Sequence, residues 1–365
     1  MEIYVANLLV VYLSSCFARI IAKTRRIDQI SILHPSSLFI FIALCSLVTV
    51  AGLRYKVGTD YPTYYGLISY FYQLSVDQII NSNNISDKGF VLITWLIGRF
   101  TDEAQVAFFI YALLIIFLVI LTIKDFGKPF ELAMALYITG FAYYSSFNGM
   151  RQWIASAFIF WAIRYLLKGN WKKYFLVVIL SSTLHLSALL MIVAYVLVRW
   201  TNWKYTSIGL SIFFGGAFIL YSGFIESLFS LLDGSQYGHY DSVLKSTDNG
   251  ANIFRILVWA VPIVSWYLFR GKFEQTWPEG KYVLRLSFIG FLFAVLALKN
   301  ASIYRICMYF DIYNILIVPR LATIFRGKVN YVIYYCIFVC YFLYSYMLLP
   351  YDSNLLPYRF YNIFG

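Results

Sequence analysis

The fold class this chain predicts is an all-α polytopic membrane protein, and three observations predict it. The composition is 61% hydrophobic with a mean hydropathy of +0.71. Only 13% of residues are charged, against roughly 25% in soluble domains. Apolar runs of roughly 20 residues, the length that crosses a hydrocarbon core, recur from one end of the chain to the other. Residues 1–365 read as one integral-membrane domain with no soluble domain appended.

The elements follow in order. A first spanning helix is expected over 2–22. Glu2 stands where a cleavable leader would be basic, and Lys23, Arg25 and Arg26 follow the apolar run rather than precede it, so a signal peptide is not expected. Further spans are placed near 33–51, 104–123, 130–147, 151–168, 205–222, 251–270, 281–299, 302–322 and 329–349, about ten in all. Segment 89–100 is too short to span and is expected on the surface or partly inserted. Segment 174–199 is apolar but interrupted at 181–185. Each half is then about 12 residues, or about 18 Å of helix, against a core of about 30 Å. A broken or re-entrant helical pair with His185 at its apex is the expectation there. The cysteines Cys16, Cys45, Cys307, Cys336 and Cys340 fall inside apolar helices, with spacings of neither a zinc site nor a disulfide framework.

The net charge of +12 would suggest nucleic acid in a soluble protein, but here its distribution describes topology. Nineteen of the 29 basic residues and only five of the 17 acidic ones gather at one set of loops and helix ends. The positive-inside rule puts 23–32, 124–129, 169–173, 200–204, 271–280 and 323–328 in the cytoplasm. Both termini and the extracytoplasmic segments near 52–103 and 223–250 then lie outside. No nucleic-acid partner is expected.

That outer side collects the residues that are costly to keep near lipid. Arg54, Lys56 and Asp60 lie within seven positions directly after the second span. Arg151 and Gln152 open the helix that follows Asn148 and Gly149, and His185 sits at the helical break. Arg305 and Asp311 lie in the outer half of the span near 302–322. A charge in the apolar layer costs roughly 2.5–3.5 kcal/mol, so each is a functional candidate. Arginine's planar fork grips phosphate oxygens in bidentate fashion, and a helix start such as that at Arg151 adds its dipole to anion binding. The alternative pairs Arg54 with Asp60 and Arg305 with Asp311 structurally, which leaves Arg151 unpaired. His185 suits a general base or a phosphate partner, or else a packed core position. Tyr61 belongs to a tyrosine-rich outer surface fit for interface anchoring or sugar stacking. The outer loop 233–241 is polar enough for a lid or a sugar-binding loop, or is a simple connector. Phosphate-binding P-loops, HExxH, Gly-x-Ser-x-Gly and Asp-x-Asp pairs do not occur, so neither a nucleotide-sugar donor, a metal nor a cofactor is expected.

The runs GLRYKVGTDYPTYY (52–65), RQWIASAFIFWAIRYL (151–166), KYFLVVILSSTLHLSAL (173–189) and YRICMYFD (304–311), with Pro357-Tyr358 near the end, resemble the EpsG-like, Wzy-type family of polysaccharide polymerases. The resemblance implies a GT-C-like glycosyltransferase architecture in the bacterial inner membrane. It also implies an enzyme that joins oligosaccharide repeats carried on undecaprenyl diphosphate at the outer face, with membrane lipid and a chain-length regulator protein as partners. The product would be an O-antigen, capsule or exopolysaccharide. Carried over by motif, His185 and Asp60 are the catalytic candidates. Arg54, Arg151, Gln152, Arg305, Asp311 and Tyr61 are the candidates for diphosphate or sugar binding. Two rival readings use the same residues. A transporter or flippase of lipid-linked oligosaccharide would show internal repeats and cations in both leaflets. A membrane-bound acyltransferase would want an intramembrane histidine beside an acid.

Overall fold

In a computed structural model of the chain, residues 1–27, 30–81, 86–221 and 250–362 are described. Their regular secondary structure is helical except for one antiparallel hairpin, β1 (Lys23–Ile27) and β2 (Ile30–His34), in the basic loop after the first helix, and an isolated antiparallel bridge between Arg54 and Phe360. The all-α polytopic reading therefore holds. Among the described residues five helical runs are long and apolar enough to cross a bilayer: Glu2–Ile20, Ala104–Phe126, Ile253–Thr276, Ala301–Thr323 and Lys328–Tyr351. Shorter apolar helices accompany them, Ser37–Gly52, Lys88–Ile97 and Phe130–Thr139 among them.

The described chain divides into two compact units, Met1–Leu189 with Ile315–Gly365, and Leu190–Asn314. In the first unit, α1 (Glu2–Ile20) packs on α2 (Ser37–Gly52), α2 on α6 (Ala104–Phe126), and α6 on α9 (Met150–Trp161). Between α2 and α6 lie α3 (Tyr61–Gln73), α4 (Val76–Asn81) and α5 (Lys88–Ile97). All ten residues of α7 (Phe130–Thr139) are buried, whereas α1 leaves Leu9, Leu13, Phe17 and Ile20 exposed. An apolar stripe of that kind is what lipid covers in a spanning helix.

The expected spans near 130–147 and 302–322 do not run as single helices. The first stops at Thr139, turns through Gly140 and Phe141, and restarts as α8 (Ala142–Ser145). Phe141 stands at a φ of 73° there, which no α-helix continues. The second resolves into short helices, Tyr304–Asp311 and Asn314–Ile317, and a 3-10 segment, Val318–Thr323. Pro319 removes one helical donor and crowds the carbonyl four residues earlier. The break foreseen at 181–185 is present: α10 (Ile163–Leu167) leads into α11 (Trp171–Ser182), which stops before a turn and a 3-10 segment, Leu186–Leu189.

The second unit is built from α12 (Leu190–Arg199), α13 (Trp203–Ile219), α14 (Ile253–Thr276), α15 (Gly280–Leu296) and α16 (Tyr304–Asp311). Asn202 and Asn252 cap α13 and α14 through their side-chain oxygens. After α16 come α17 (Asn314–Ile317), the 3-10 segment Val318–Thr323, the long helix α18 (Lys328–Leu348) and a 3-10 turn, Leu349–Tyr351. The loop 233–241 lies outside the described residues.

Candidate functional site

The site grows out of three crossings in the first unit. The first is at Arg54, just past the end of α2. Arg54 is 2% exposed. It donates to the Ala51 carbonyl and, at 3.1 Å, to the Phe147 carbonyl. The Phe147 and Phe108 rings lie 4.7 and 5.2 Å from its charge centre. Burial pushes its pKa down to about 10, an effect the surrounding tyrosines oppose, so it stays charged at neutral pH. Arg54 is a clamp that joins the end of α2 to the segment before α9.

The C-terminal tail closes over this clamp. Tyr55 N–H donates to Arg359 O at 2.8 Å and Tyr361 N–H to Leu53 O at 2.7 Å. Tyr358 hydroxyl donates to Val50 O at 2.8 Å. Tyr61 is buried, and its hydroxyl donates to Gln105, which in turn binds the carbonyls of Gly52 and Arg54.

The second crossing brings 58–60 onto 147–149. Gly58 stands at a φ of +97°, and a Cβ there would lie 3.0 Å from Asn148 Oδ1, so glycine alone suits the position. Asp60 does not reach Arg54. Its carboxylate accepts from the Gly149 N–H at 2.8 Å, while Asn148 Oδ1 accepts from the Asp60 N–H at 3.1 Å. Asp60 thereby fixes the start of α9, where Arg151 and the buried Gln152 stand.

The third crossing gathers an acid, an arginine and a histidine, and it turns on a residue absent from the sequence reading, Asp87. One carboxylate oxygen, Oδ2, lies 3.0 Å from Arg151 Nη1 and 3.1 Å from His185 Nδ1. The other, Oδ1, accepts from the Leu186 N–H at 3.3 Å. The Asp87 side chain is 6% exposed, whereas those of Arg151 and His185 are 30% and 27% exposed. Arg151 is therefore ion-paired, which corrects the expectation that it stands unpaired. Tyr64 supports it: its hydroxyl accepts from the Arg151 N–H at 3.4 Å and its ring faces the guanidinium at 6.0 Å.

Gly89 permits this approach. Its N–H donates to Thr183 O at 2.9 Å, and a Cβ would meet Thr183 Oγ1 at 2.3 Å and Thr183 O at 2.9 Å. A buried carboxylate on Nδ1 sets a histidine's orientation and tautomer and leaves Nε2 as the accepting nitrogen. Here the same carboxylate also orients an arginine, so a proton acceptor and a cationic fork are presented side by side.

Arg305 and Asp311 belong to the second unit, on α16. Arg305 is exposed, and Asp311 is buried beside Asn314. Six positions apart, they fall about 120° from each other around a helix. The structure thus brings together Asp60, Arg151, Gln152, His185 and, behind them, Arg54 and Tyr61. Asp87 was legible only as one more acid in a polar run. Its separation of 64 residues from Arg151 and 98 from His185 carries no local signal.

Fold and site together define a class: a multi-pass helical membrane protein with an acid–histidine–arginine cluster where three chain segments meet. The model of the EpsG family matches residues 37–360, and the chain belongs to that family, the family of EpsG/Wzy-like polysaccharide polymerases. No curated protein and no solved structure matches the chain.

Proposed function

We propose that the chain is a glycosyltransferase that polymerises undecaprenyl-diphosphate-linked oligosaccharide repeats at the outer face of a bacterial inner membrane. Both termini and the segments near 52–103 and 223–250 face that side. The observation that carries the reading is the Asp87 carboxylate gathering His185 and Arg151 into one cluster in a chain of this family.

The growing chain on its lipid diphosphate is the donor, and a sugar hydroxyl of the incoming lipid-linked repeat is the acceptor. That hydroxyl oxygen forms a bond to the donor's anomeric carbon. The bond from that carbon to the diphosphate oxygen breaks, and its electron pair leaves with the lipid diphosphate. The hydroxyl proton passes to His185 Nε2, and Asp87 stabilises the imidazolium so formed. Arg151 offers its fork to the diphosphate and offsets the charge that builds on the leaving group, each charged hydrogen bond contributing about 1.5–3 kcal/mol.

Gln152 backs Arg151. Asp60, Arg54 and Tyr61 position the start of α9 rather than touch sugar. Arg305, the exposed cation on α16, is assigned to a phosphate of a lipid-linked substrate, with Asp311 holding that helix from inside. A chain-length regulator protein acts on the product from outside this machinery.

The glycan ladder of a strain lacking the protein tests the reading. Exported single repeat units with no ladder are expected. A strain that exports no repeat unit at all would instead identify a flippase.

A further inference from the structure

The second unit carries a groove that takes no part in the chemistry above. Trp203, Ile208 and Ile212 of α13 face Ile263 of α14 and Leu284 and Phe288 of α15 around a cavity of about 290 Å³. That is near the lower end of ligand-sized pockets, roughly 300–1,000 Å³. Tyr267 also lines it, and the hydroxyls of Ser207 and Ser211 on its wall are spent on the carbonyls of Lys204 and Ser207 within their own helix. The surface offered is apolar, and Ile212 is 71% exposed on it.

One end of the groove is strongly basic. The Arg285 guanidinium lies 5.1 Å from the Trp203 ring and 5.3 Å from the Tyr282 ring, and Arg199 lies 4.1 Å from that same Tyr282 ring. Arg285 Nη1 donates to the Val198 carbonyl at 2.5 Å, which holds the fork at the mouth of the groove. Lys204 and Lys281 start the two helices beside it. Of the two acids nearby, Glu274 is held by Arg270 at 2.8 Å, and Glu279 precedes α15. Arg199 and Arg270 both repel Arg285, and an anion seated between them would relieve that repulsion.

We propose that this groove binds an anionic phospholipid, with its phosphate on Arg199 and Arg285 and an acyl chain along Ile208, Ile212 and Phe288. The two chemistries of such a molecule, a phosphate and a hydrocarbon chain, are matched in that order along α13. Basic pockets between membrane helices take anionic headgroups for this reason, and arginine on an aromatic plane is suited to phosphate.

Native mass spectrometry of the purified full chain tests the assignment, with phosphatidylglycerol and phosphatidylcholine of identical acyl chains as the probes. Phosphatidylglycerol should bind about tenfold more tightly than phosphatidylcholine, and Arg199→Gln or Arg285→Gln should each weaken it about fivefold and weaken phosphatidylcholine, whose choline already offsets its phosphate charge, less. Ile212→Trp, which fills the groove and leaves every charge, should weaken both lipids. If Arg285→Gln fails to accumulate, Arg199→Gln decides. Equal affinity for the two lipids, or unchanged phosphatidylglycerol binding in Arg199→Gln, overturns the proposal. So does a tenfold preference for undecaprenyl phosphate over phosphatidylglycerol, which would make the groove a carrier-lipid site.

Discussion

At Asp87 a single carboxylate oxygen faces an arginine and a histidine that lie far away in the chain. Removing the charge while keeping the shape, as in Asp87→Asn, leaves Arg151 without its counter-ion and lets the His185 ring choose its tautomer. Polymerisation of purified lipid-linked repeats should then slow by roughly 10²–10⁴-fold, the usual worth of positioned proton transfer. His185→Gln should fall in the same range. The Asp87→Asn/His185→Gln double variant should be scarcely slower than either single one, because residues that act as a unit are not additive. Independent, multiplying losses would show that the two do not act together. His185 and Arg151 were legible in the sequence as costly groups on one side of a membrane. Asp87 was not, because an acid in a polar outer run costs nothing by itself. Only the close approach of 87–89 to 183–186 turns it into a buried anion.

The elements that hold the cluster can be tested one at a time. Gly89→Ala places a methyl group against both the side chain and the carbonyl of Thr183. The crossing must open, at a cost of roughly 1–3 kcal/mol for an overpacked contact. Lower thermal stability in detergent and reduced polymerisation are expected together, and an unchanged variant would show that the approach is not tight. The tail offers a second test. Ser353 O and Asn354 O accept from the N–H groups of Thr59 and Gly58, and Arg359 and Tyr361 bracket Leu53 and Tyr55. Deleting 353–365 should leave the protein in the membrane, expose 53–60 to limited proteolysis, and abolish activity. The spans were legible as elements because hydropathy over about 20 residues is a strong local signal. The bends at Phe141 and Pro319 were less so, since apolar residues continue across them and only backbone geometry ends the helix.

For the whole molecule the charge distribution predicts an outer face for the cluster, and labelling tests it. Cysteine labelling from outside should reach positions in 60–81 in intact cells, and positions beside Lys124 and Lys272 only after permeabilisation. Labelling of 60–81 from the cytoplasm alone would put Asp87 and His185 on the wrong side for an outer-face polymerase. The membrane class and its helices follow from composition. The gathering of 54, 60, 87, 151 and 185 follows from tertiary crossings between segments with no sequence pattern in common. Reconstitution of the purified chain in proteoliposomes with one defined undecaprenyl-diphosphate-linked repeat tests the central claim most directly. A glycan ladder should form, with one undecaprenyl diphosphate released per bond made, and it should be lost in Asp87→Asn and Arg151→Ala. Wild-type protein that moves the lipid-linked repeat across the bilayer yet forms no ladder, or a ladder undiminished in both variants, would contradict it.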